Sequence, residues 1–180
     1  MSELFSIQLQ NRQQQGRDGV WLDLPTTTEQ VQAALRQIGI SSDNPQGLFI
    51  SGYFAEEEKR FAIPYNMVLA SNVDELNFLA ARLETLSAGE RAELNAALQV
   101  PQSELSSIGR ITDFPENVDY YVHLPDVHGP AQLGDYYLNR SGMVDMPDEW
   151  KGGIDTAQFG RYVAQQEQLS LIHISEPTRH

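Results

Sequence analysis

The segment from residue 123 to residue 128 holds the side chains of this chain that most resemble a metal site. It contains His123, Asp126 and His128 within six residues. Imidazole and carboxylate groups ligate zinc or iron, but a third histidine or a second carboxylate would have to come from elsewhere. The alternative is that His123 projects from a strand and His128 lies in the following turn, both in water. A small metal-dependent enzyme is therefore one hypothesis, and the simpler expectation is that no metal or cofactor is bound.

Other motifs for chemistry do not occur in the sequence. It contains no phosphate-binding glycine loop, no H-E-x-x-H and no G-x-S-x-G. Paired carboxylates such as Asp148-Glu149 are common in any acidic protein and do not indicate general acid–base catalysis. We therefore predict no catalytic residues and a protein that is not an enzyme.

Charge is the strongest feature of the composition. The chain has 25 acidic and 12 basic residues, for a net charge of −13. A surface of this sign repels DNA, RNA and anionic lipid and attracts a basic protein surface. The alternative is an acidic surface that serves solubility alone. The acids are spread along the chain, whereas a disordered tail would hold them in one block. We predict a basic protein partner and no direct binding of nucleic acid or membrane.

Composition also indicates the class of protein and its compartment. The hydrophobic fraction of 41% and the aromatic fraction of 9% are typical of a folded protein. The chain has no cysteine, which fits a reducing compartment. The first residues lack a basic region followed by an apolar run, and no apolar stretch approaches the roughly 20 residues that span a bilayer. We expect a soluble, cytoplasmic protein.

The first third of the chain is predicted to be a small α/β subdomain over residues 1–64. Apolar alternation predicts a strand at 5–9, and further strands are predicted at 20–24 and 48–54. Residues 60–63 are predicted to pair with the last of these strands across the acidic turn 56–58. Thr26 and Glu29 form a capping-box pattern that predicts the start of a helix between the strands.

The middle of the chain is predicted to be a helical subdomain over residues 65–102. Ser71 with Asp74 and Ser87 with Glu90 each show a capping pattern before a helical apolar stripe. The two inner stripes are interpreted as core rather than as a cofactor site.

The last third is predicted to be an α+β subdomain over residues 103–168. Residues 119–124 are rich in aromatic and β-branched types and predict a strand. A helix is predicted over 130–139 and a single turn over 147–150, and Asp155 is placed to cap a final helix. The predicted fold class is therefore α+β, with three small consecutive subdomains of α/β, helical and α+β type.

Three groups of residues form an ordered set of motifs along most of the chain. They are Gly19-Val20-Trp21-Leu22-Asp23-Leu24-Pro25; Asn72-Val73-Asp74-Glu75-Leu76-Asn77-Phe78-Leu79-Ala80; and Leu133-Gly134, Tyr136-Tyr137, Gly142, Pro147, Ile154-Asp155 and Phe159-Gly160-Arg161. In this order they resemble the antirestriction protein ArdA family over roughly residues 3–168. The resemblance implies a dimeric, elongated protein of mobile elements that has three small domains and is not an enzyme. It also implies that the protein mimics bent duplex DNA and occupies the DNA channel of type I restriction-modification enzymes.

An alternative target belongs to the same physical class. The protein would then be an anti-CRISPR protein that blocks the DNA-binding groove of a Cas effector, because such effectors also hold nucleic acid in a positively charged channel. Pull-down from lysates that contain each defence system would separate the two.

The partner-binding surface is predicted to consist of carboxylates that take the place of DNA phosphates. Carboxylates one helical turn apart are about 5–6 Å apart, and those at alternate strand positions about 6–7 Å, both close to the spacing of phosphates. The predicted residues are Glu56, Glu57, Glu58, Asp74, Glu75, Glu84, Glu90, Glu93, Asp113, Glu116, Asp119, Asp126, Asp135, Asp145, Asp148 and Glu149.

A homodimer is predicted to form through the last third of the chain. Its aromatic residues are more numerous than so small a unit can bury alone. The predicted interface residues are Tyr120, Tyr121, Tyr136, Tyr137 and Trp150.

The final segment, residues 169–180, is interpreted as a tail that is not native. Its sequence from residue 172 to residue 179 resembles the translated read-through of a sequencing adaptor and matches no feature of the family. We therefore assign no function to it.

Overall fold

The fold is described by a computed structural model that covers residues 3–14, 18–41, 45–100, 103–117, 124–167 and 169. These residues form eight α-helices, three short 3-10 helices and a three-stranded antiparallel sheet, so the predicted α+β class is confirmed. They fall into two compact units. Unit 1 contains the described residues up to 98 together with 103–117, and unit 2 contains residues 99–100 and those from 124 onward. The division into three subdomains stays a prediction.

The sheet of unit 1 has the strand order β2-β1-β3, with β1 at Phe5–Asn11, β2 at Val20–Leu24 and β3 at Leu48–Phe54. Alternation in β1 sets its two faces, because successive side chains of a strand point to opposite sides. Phe5, Ile7 and Leu9 are buried on the inner face. The three predicted strands are confirmed.

The predicted strand at residues 60–63 is wrong. β3 pairs with β1, and residues 60–63 follow a 3-10 helix at Glu57–Lys59 as extended chain without ladder pairing. The backbone N–H of Ala62 donates to Oδ1 of Asn95 at 2.7 Å, and the guanidinium of Arg91 lies 5.1 Å from the ring centroid of Phe61. Alternating Phe61 and Ile63 are both buried, but this segment packs against a helix instead of a strand.

Five helices complete unit 1. They are α1 at Thr28–Gln37, α2 at Tyr65–Leu69, α3 at Val73–Glu84, α4 at Ala88–Gln99 and α5 at Ile108–Thr112, with further 3-10 turns at Pro45–Gly47 and Phe114–Glu116. One hydrophobic core contains buried residues from Leu4 to Phe114. Three of them, Ile7, Leu76 and Ile111, are completely inaccessible to solvent. The short helices α2 and α5 were not predicted from the sequence, because five residues are too few for a helical period.

The capping box is shifted by one residue in two of the three helices for which this pattern was predicted. The N-cap of α1 is Thr27, with Gln30 as its reciprocal partner, rather than Thr26 with Glu29. The N-cap of α3 is Asn72 rather than Ser71, whose hydroxyl donates to Glu75 at 2.6 Å. Ser87 and Glu90 form the predicted reciprocal cap of α4.

Unit 2 contains α6 at Pro130–Asn139, α7 at Asp148–Lys151 and α8 at Thr156–Gln166. Asp155 caps α8 as predicted, since its carboxylate accepts from the N–H of Gln158 at 2.9 Å. α6 and α8 pack with their backbones in contact at Gly134 and Gly160, where neither helix has a side chain. The predicted strand at 119–124 lies outside the described residues, apart from residue 124.

Within the part of the chain that the structure describes, no helix has both the length and the apolar character needed to cross a bilayer.

Candidate functional site

The carboxylates of the described residues all lie at the molecular surface. Of these 22 acidic residues, 17 are exposed, five are half-buried and none is buried. Burial of a carboxylate in an apolar interior costs several kcal/mol unless it is paired, so this distribution is what the chain needs in order to fold with its excess of acid. It also leaves the acidic groups accessible to a partner.

Fifteen of the sixteen predicted partner-binding residues fall within the described structure, and Asp119 lies outside it. Ten are exposed: Glu56, Glu57, Glu58, Asp74, Asp113, Glu116, Asp126, Asp145, Asp148 and Glu149. Five are half-buried: Glu75, Glu84, Glu90, Glu93 and Asp135. They occur in both units, on helices and in the turns between them.

Four of the predicted carboxylates form ion pairs within the chain. The pairs are Glu56–Lys59 at 2.9 Å, Arg82–Glu116 at 2.7 Å, Asp135–Arg140 at 3.7 Å and Asp148–Lys151 at 2.8 Å. The hydrogen bond and the positive charge of Lys151 lower the pKa of Asp148. These four groups are partly neutralised by their own chain and present a weaker field to a partner.

Two more of the predicted carboxylates belong to helix caps. Glu75 accepts from the hydroxyl of Ser71, and Glu90 accepts from the backbone N–H of Ser87 at 2.7 Å. The hydrogen bonds from Ser87 lower the pKa of Glu90. An acidic group in the first turn also interacts favourably with the helix dipole, so these two residues stabilise the fold.

Of the nine predicted residues that remain, Glu84 interacts with another group, and the other eight make no side-chain hydrogen bond and no ion pair with described residues. They are Glu57, Glu58, Asp74, Glu93, Asp113, Asp126, Asp145 and Glu149, here called the unpaired acidic set. Their negative charge is not compensated by a contacting base. They are therefore the carboxylates of the predicted surface that are best placed to bind a basic partner.

The family comparison decides the class of the protein. Over residues 15–175 the chain matches the family model described as antirestriction protein (ArdA). The chain belongs to this family. The resemblance predicted from the motifs is thus confirmed, and ArdA membership implies antirestriction activity against type I restriction-modification enzymes. ArdA proteins are inhibitors rather than enzymes.

A comparison with curated proteins gave no match.

The structure gives a physical reason for two glycines of the ArdA-like motifs. A Cβ on Gly134 would lie 1.9 Å from the carbonyl oxygen of Thr156, and one on Gly160 would lie 1.8 Å from the carbonyl oxygen of Pro130. Both glycines therefore allow the close packing of α6 on α8. In this ArdA-family chain they allow the packing that holds unit 2 together.

The predicted dimer residues differ in how far they are available. Trp150 is 67% exposed, whereas Tyr136 and Tyr137 are half-buried and make an edge-to-face contact with centroids 5.7 Å apart. Burial raises the pKa of Tyr137, with a smaller contribution from the charge of Glu167. Tyr120 and Tyr121 lie outside the described residues.

The metal hypothesis gains no support from the described residues, which contain no group of three potential metal ligands. Asp126 and His128 are both exposed, and the backbone N–H of His128 donates to Gln132 at 2.7 Å. His123 lies outside the described residues.

Sequence reasoning missed Glu3 and Asp23 as members of the acidic surface. Glu3 and Glu58 both lie close enough to Lys59 to raise its pKa, after the larger effect of Glu56. Asp23 is exposed and accepts a hydrogen bond from Ser6 on the neighbouring strand. No local sequence pattern marks these two residues. Asp23 comes close to Ser6, and Glu3 close to Lys59, only because β1 pairs with β2 and β3.

Proposed function

We propose that this protein inhibits a type I restriction-modification enzyme by occupying its DNA channel as a mimic of bent duplex DNA. The observation that supports this proposal is the unpaired acidic set, eight exposed or half-buried carboxylates that form no ion pair with a described base. A DNA channel is lined by basic residues that neutralise phosphates, and exposed carboxylates can replace those phosphates. The enzyme works in the cytoplasm, which is the proposed site of action.

The net charge indicates how closely the protein can imitate the charge of duplex DNA. Duplex DNA carries one charge per roughly 1.7 Å of its axis, so the net charge of −13 corresponds to about 22 Å of duplex. A homodimer would correspond to about 44 Å. We infer that hydrogen-bond acceptors and shape contribute to binding beside net charge.

The decisive experiment measures competition for the purified enzyme. The protein is expected to displace a fluorescent duplex that carries the recognition sequence, and to leave the same duplex unbound when the enzyme is omitted. Because the contacts are ionic, the affinity should fall at least tenfold between 0.05 and 0.5 M salt, an estimate based on screening at these concentrations. An enzyme that holds duplex and inhibitor at once would contradict channel occupancy.

The anti-CRISPR alternative rests on the same surface, because a Cas effector also binds nucleic acid through a positively charged channel. The competition assay therefore includes a purified Cas effector beside the type I enzyme. Displacement of DNA from the effector alone would reassign the target.

We also propose a homodimer formed by unit 2. Three large apolar side chains of this unit are more than half exposed, with Met143 at 73%, Trp150 at 67% and Tyr162 at 59%. A contiguous exposed apolar patch is typical of an interaction site, and in this proposal the three side chains contribute to one such patch. Light scattering at micromolar concentration is expected to give twice the 20.2 kDa of the chain.

The substitution Trp150→Gln should shift this dimer towards monomer, while Trp21→Gln, in unit 1, should leave it intact. A monomeric mass for the unsubstituted protein would show that the proposal is wrong.

A further inference from the structure

The outer face of the sheet in unit 1 carries an exposed tryptophan that reaches across two strands. Trp21 on β2 pairs with Gln8 on β1, and Gln8 pairs with Gly52 on β3. A Cβ on Gly52 would lie 3.0 Å from Cη2 of Trp21, so the indole extends over β1 as far as β3. Gly52 provides the space for this ring, which is 49% exposed.

A second exposed ring stands on the same face. Phe54 follows Gly52 by two residues on β3, so both point to the outer side. Ser6 on β1 pairs with both Phe54 and Asp23, so these three residues lie side by side on the outer face. Phe54 is 55% exposed. We call Trp21, Phe54 and Asp23 the aromatic face. The opposite side of the sheet is the buried one, which carries Phe5, Ile7 and Leu9.

Acidic residues border the aromatic face. Asp23 lies on it, and the chain that follows Phe54 carries Glu56, Glu57 and Glu58, with Glu3 and Glu58 both near Lys59. Two bases, Lys59 and Arg60, belong to the same region, and Lys59 is already paired with Glu56. The excess of acid favours a cationic occupant and opposes phosphate groups.

The sheet already holds one arginine against a ring. The guanidinium of Arg12 lies 5.3 Å from the ring centroid of Phe49, and Phe49 pairs with Gln10, which belongs to the outer face of β1. A planar guanidinium stacks on aromatic rings and donates to both oxygens of a carboxylate at once, a combination that a lysine ammonium does not offer.

We propose that the aromatic face binds arginine side chains of the protein partner, so that this surface recognises guanidinium rather than positive charge alone. The inference rests on the proposed function, in which the partner is the basic channel of the target enzyme. Trp21 and Phe54 supply the rings, and Asp23, on the same face of the sheet, supplies the carboxylate. Nucleic-acid bases also stack on sheet aromatics, but the acidic border repels their phosphates.

Peptides test the inference without the target enzyme. The chain has two tryptophans, so Trp150→Phe leaves Trp21 as the reporter. Hexa-arginine is expected to change the Trp21 emission and to bind about threefold to tenfold more tightly than hexa-lysine, as a guanidinium–ring contact implies. Asp23→Asn should reduce this preference. The reciprocal variant Trp21→Phe, which reports through Trp150, should show no change in emission.

The enzyme then tests whether the aromatic face is used. The double substitution Trp21→Gln with Phe54→Gln should weaken inhibition about tenfold, because two exposed ring contacts are lost. Phe78→Gln is the matched control, since Phe78 is a 61% exposed ring on α3 of the same unit, and it should inhibit normally. Far-UV circular dichroism checks that each variant is folded.

Equal affinity for the two peptides, or unchanged inhibition by the double variant, would overturn the inference. These outcomes differ from those expected if the proposed function is wrong. In that case the protein does not compete with DNA for the enzyme, but the aromatic face still prefers hexa-arginine.

Discussion

Reversal of four exposed carboxylates is expected to weaken inhibition of the target enzyme by about three orders of magnitude. The substitutions are Glu57→Lys, Asp113→Lys, Asp126→Lys and Asp145→Lys. All four residues belong to the unpaired acidic set, two in each unit. Each reversal adds two charges, so the net charge changes from −13 to −5.

The size of the effect follows from additivity of weak contacts. One exposed ion pair contributes about 0–1 kcal/mol, so a single substitution should change affinity by no more than about fivefold. Four together remove about 4 kcal/mol, which corresponds to roughly a thousandfold. Stability should change little, because none of the four side chains has a partner among the described residues.

Two variants of equal net charge separate the role of these carboxylates from that of total charge. One carries Glu57→Gln, Asp113→Asn, Asp126→Asn and Asp145→Asn. The other keeps every carboxylate and carries Gln32→Lys, Gln37→Lys, Gln165→Lys and Gln166→Lys at exposed helix positions. Both have a net charge of −9. The amide variant should inhibit more weakly than the lysine variant, and equal inhibition would show that the positions of the carboxylates do not matter.

Local patterns in the sequence predicted most of the regular elements. The first strand follows an apolar alternation that is visible in a few residues, and the cap of α4 follows the Ser87–Glu90 spacing. Caps at α1 and α3 shifted by one residue because neighbouring residues offer the same chemistry. Thr26 and Thr27 are equivalent candidates, and Ser71 and Asn72 both contact Glu75.

Pairing between distant segments could not be read from the sequence. Residues 60–63 have the composition of a strand, but they do not pair with β3. The strand that pairs with β3 is β1. The side chain of Asn95 accepts a hydrogen bond from the backbone N–H of Ala62, so this N–H does not pair with a strand. Choice of partner depends on the packing of the whole unit, which a window of a few residues does not contain.

The same limit applies to the candidate site. Residue type predicted that the acids lie at the surface, but not which of them are neutralised. Glu116 is paired with Arg82, which lies 34 residues earlier in the chain. The aromatic face depends on Gly52, whose missing side chain makes room for Trp21 only after three strands have aligned.

Replacement of Gly160 by alanine is expected to unfold unit 2 or to destabilise it by about 3 kcal/mol or more. Its Cβ would lie 1.8 Å from the carbonyl oxygen of Pro130, and the matching Cβ on Gly134 would lie 1.9 Å from that of Thr156. Backbone atoms cannot rotate away, so α6 and α8 must separate. Alanine is favoured over glycine inside a helix by about 1 kcal/mol, but overpacking that moves backbone costs more.

Gly152→Ala is the matched control in the same unit, since Gly152 has a helical φ of −63° and nothing lies within 4 Å of its added Cβ. This variant should melt like the parent or slightly higher. Thermal melts followed by the fluorescence of Trp150, in a Trp21→Phe background, report on unit 2.

The double variant Gly134→Ala with Gly160→Ala should lose less stability than the sum of the two single losses. Both methyl groups occupy one helix crossing, and the first already forces the helices apart. Additive losses, or a Gly160→Ala melt equal to that of Gly152→Ala, would mean that the two helices do not touch at these glycines.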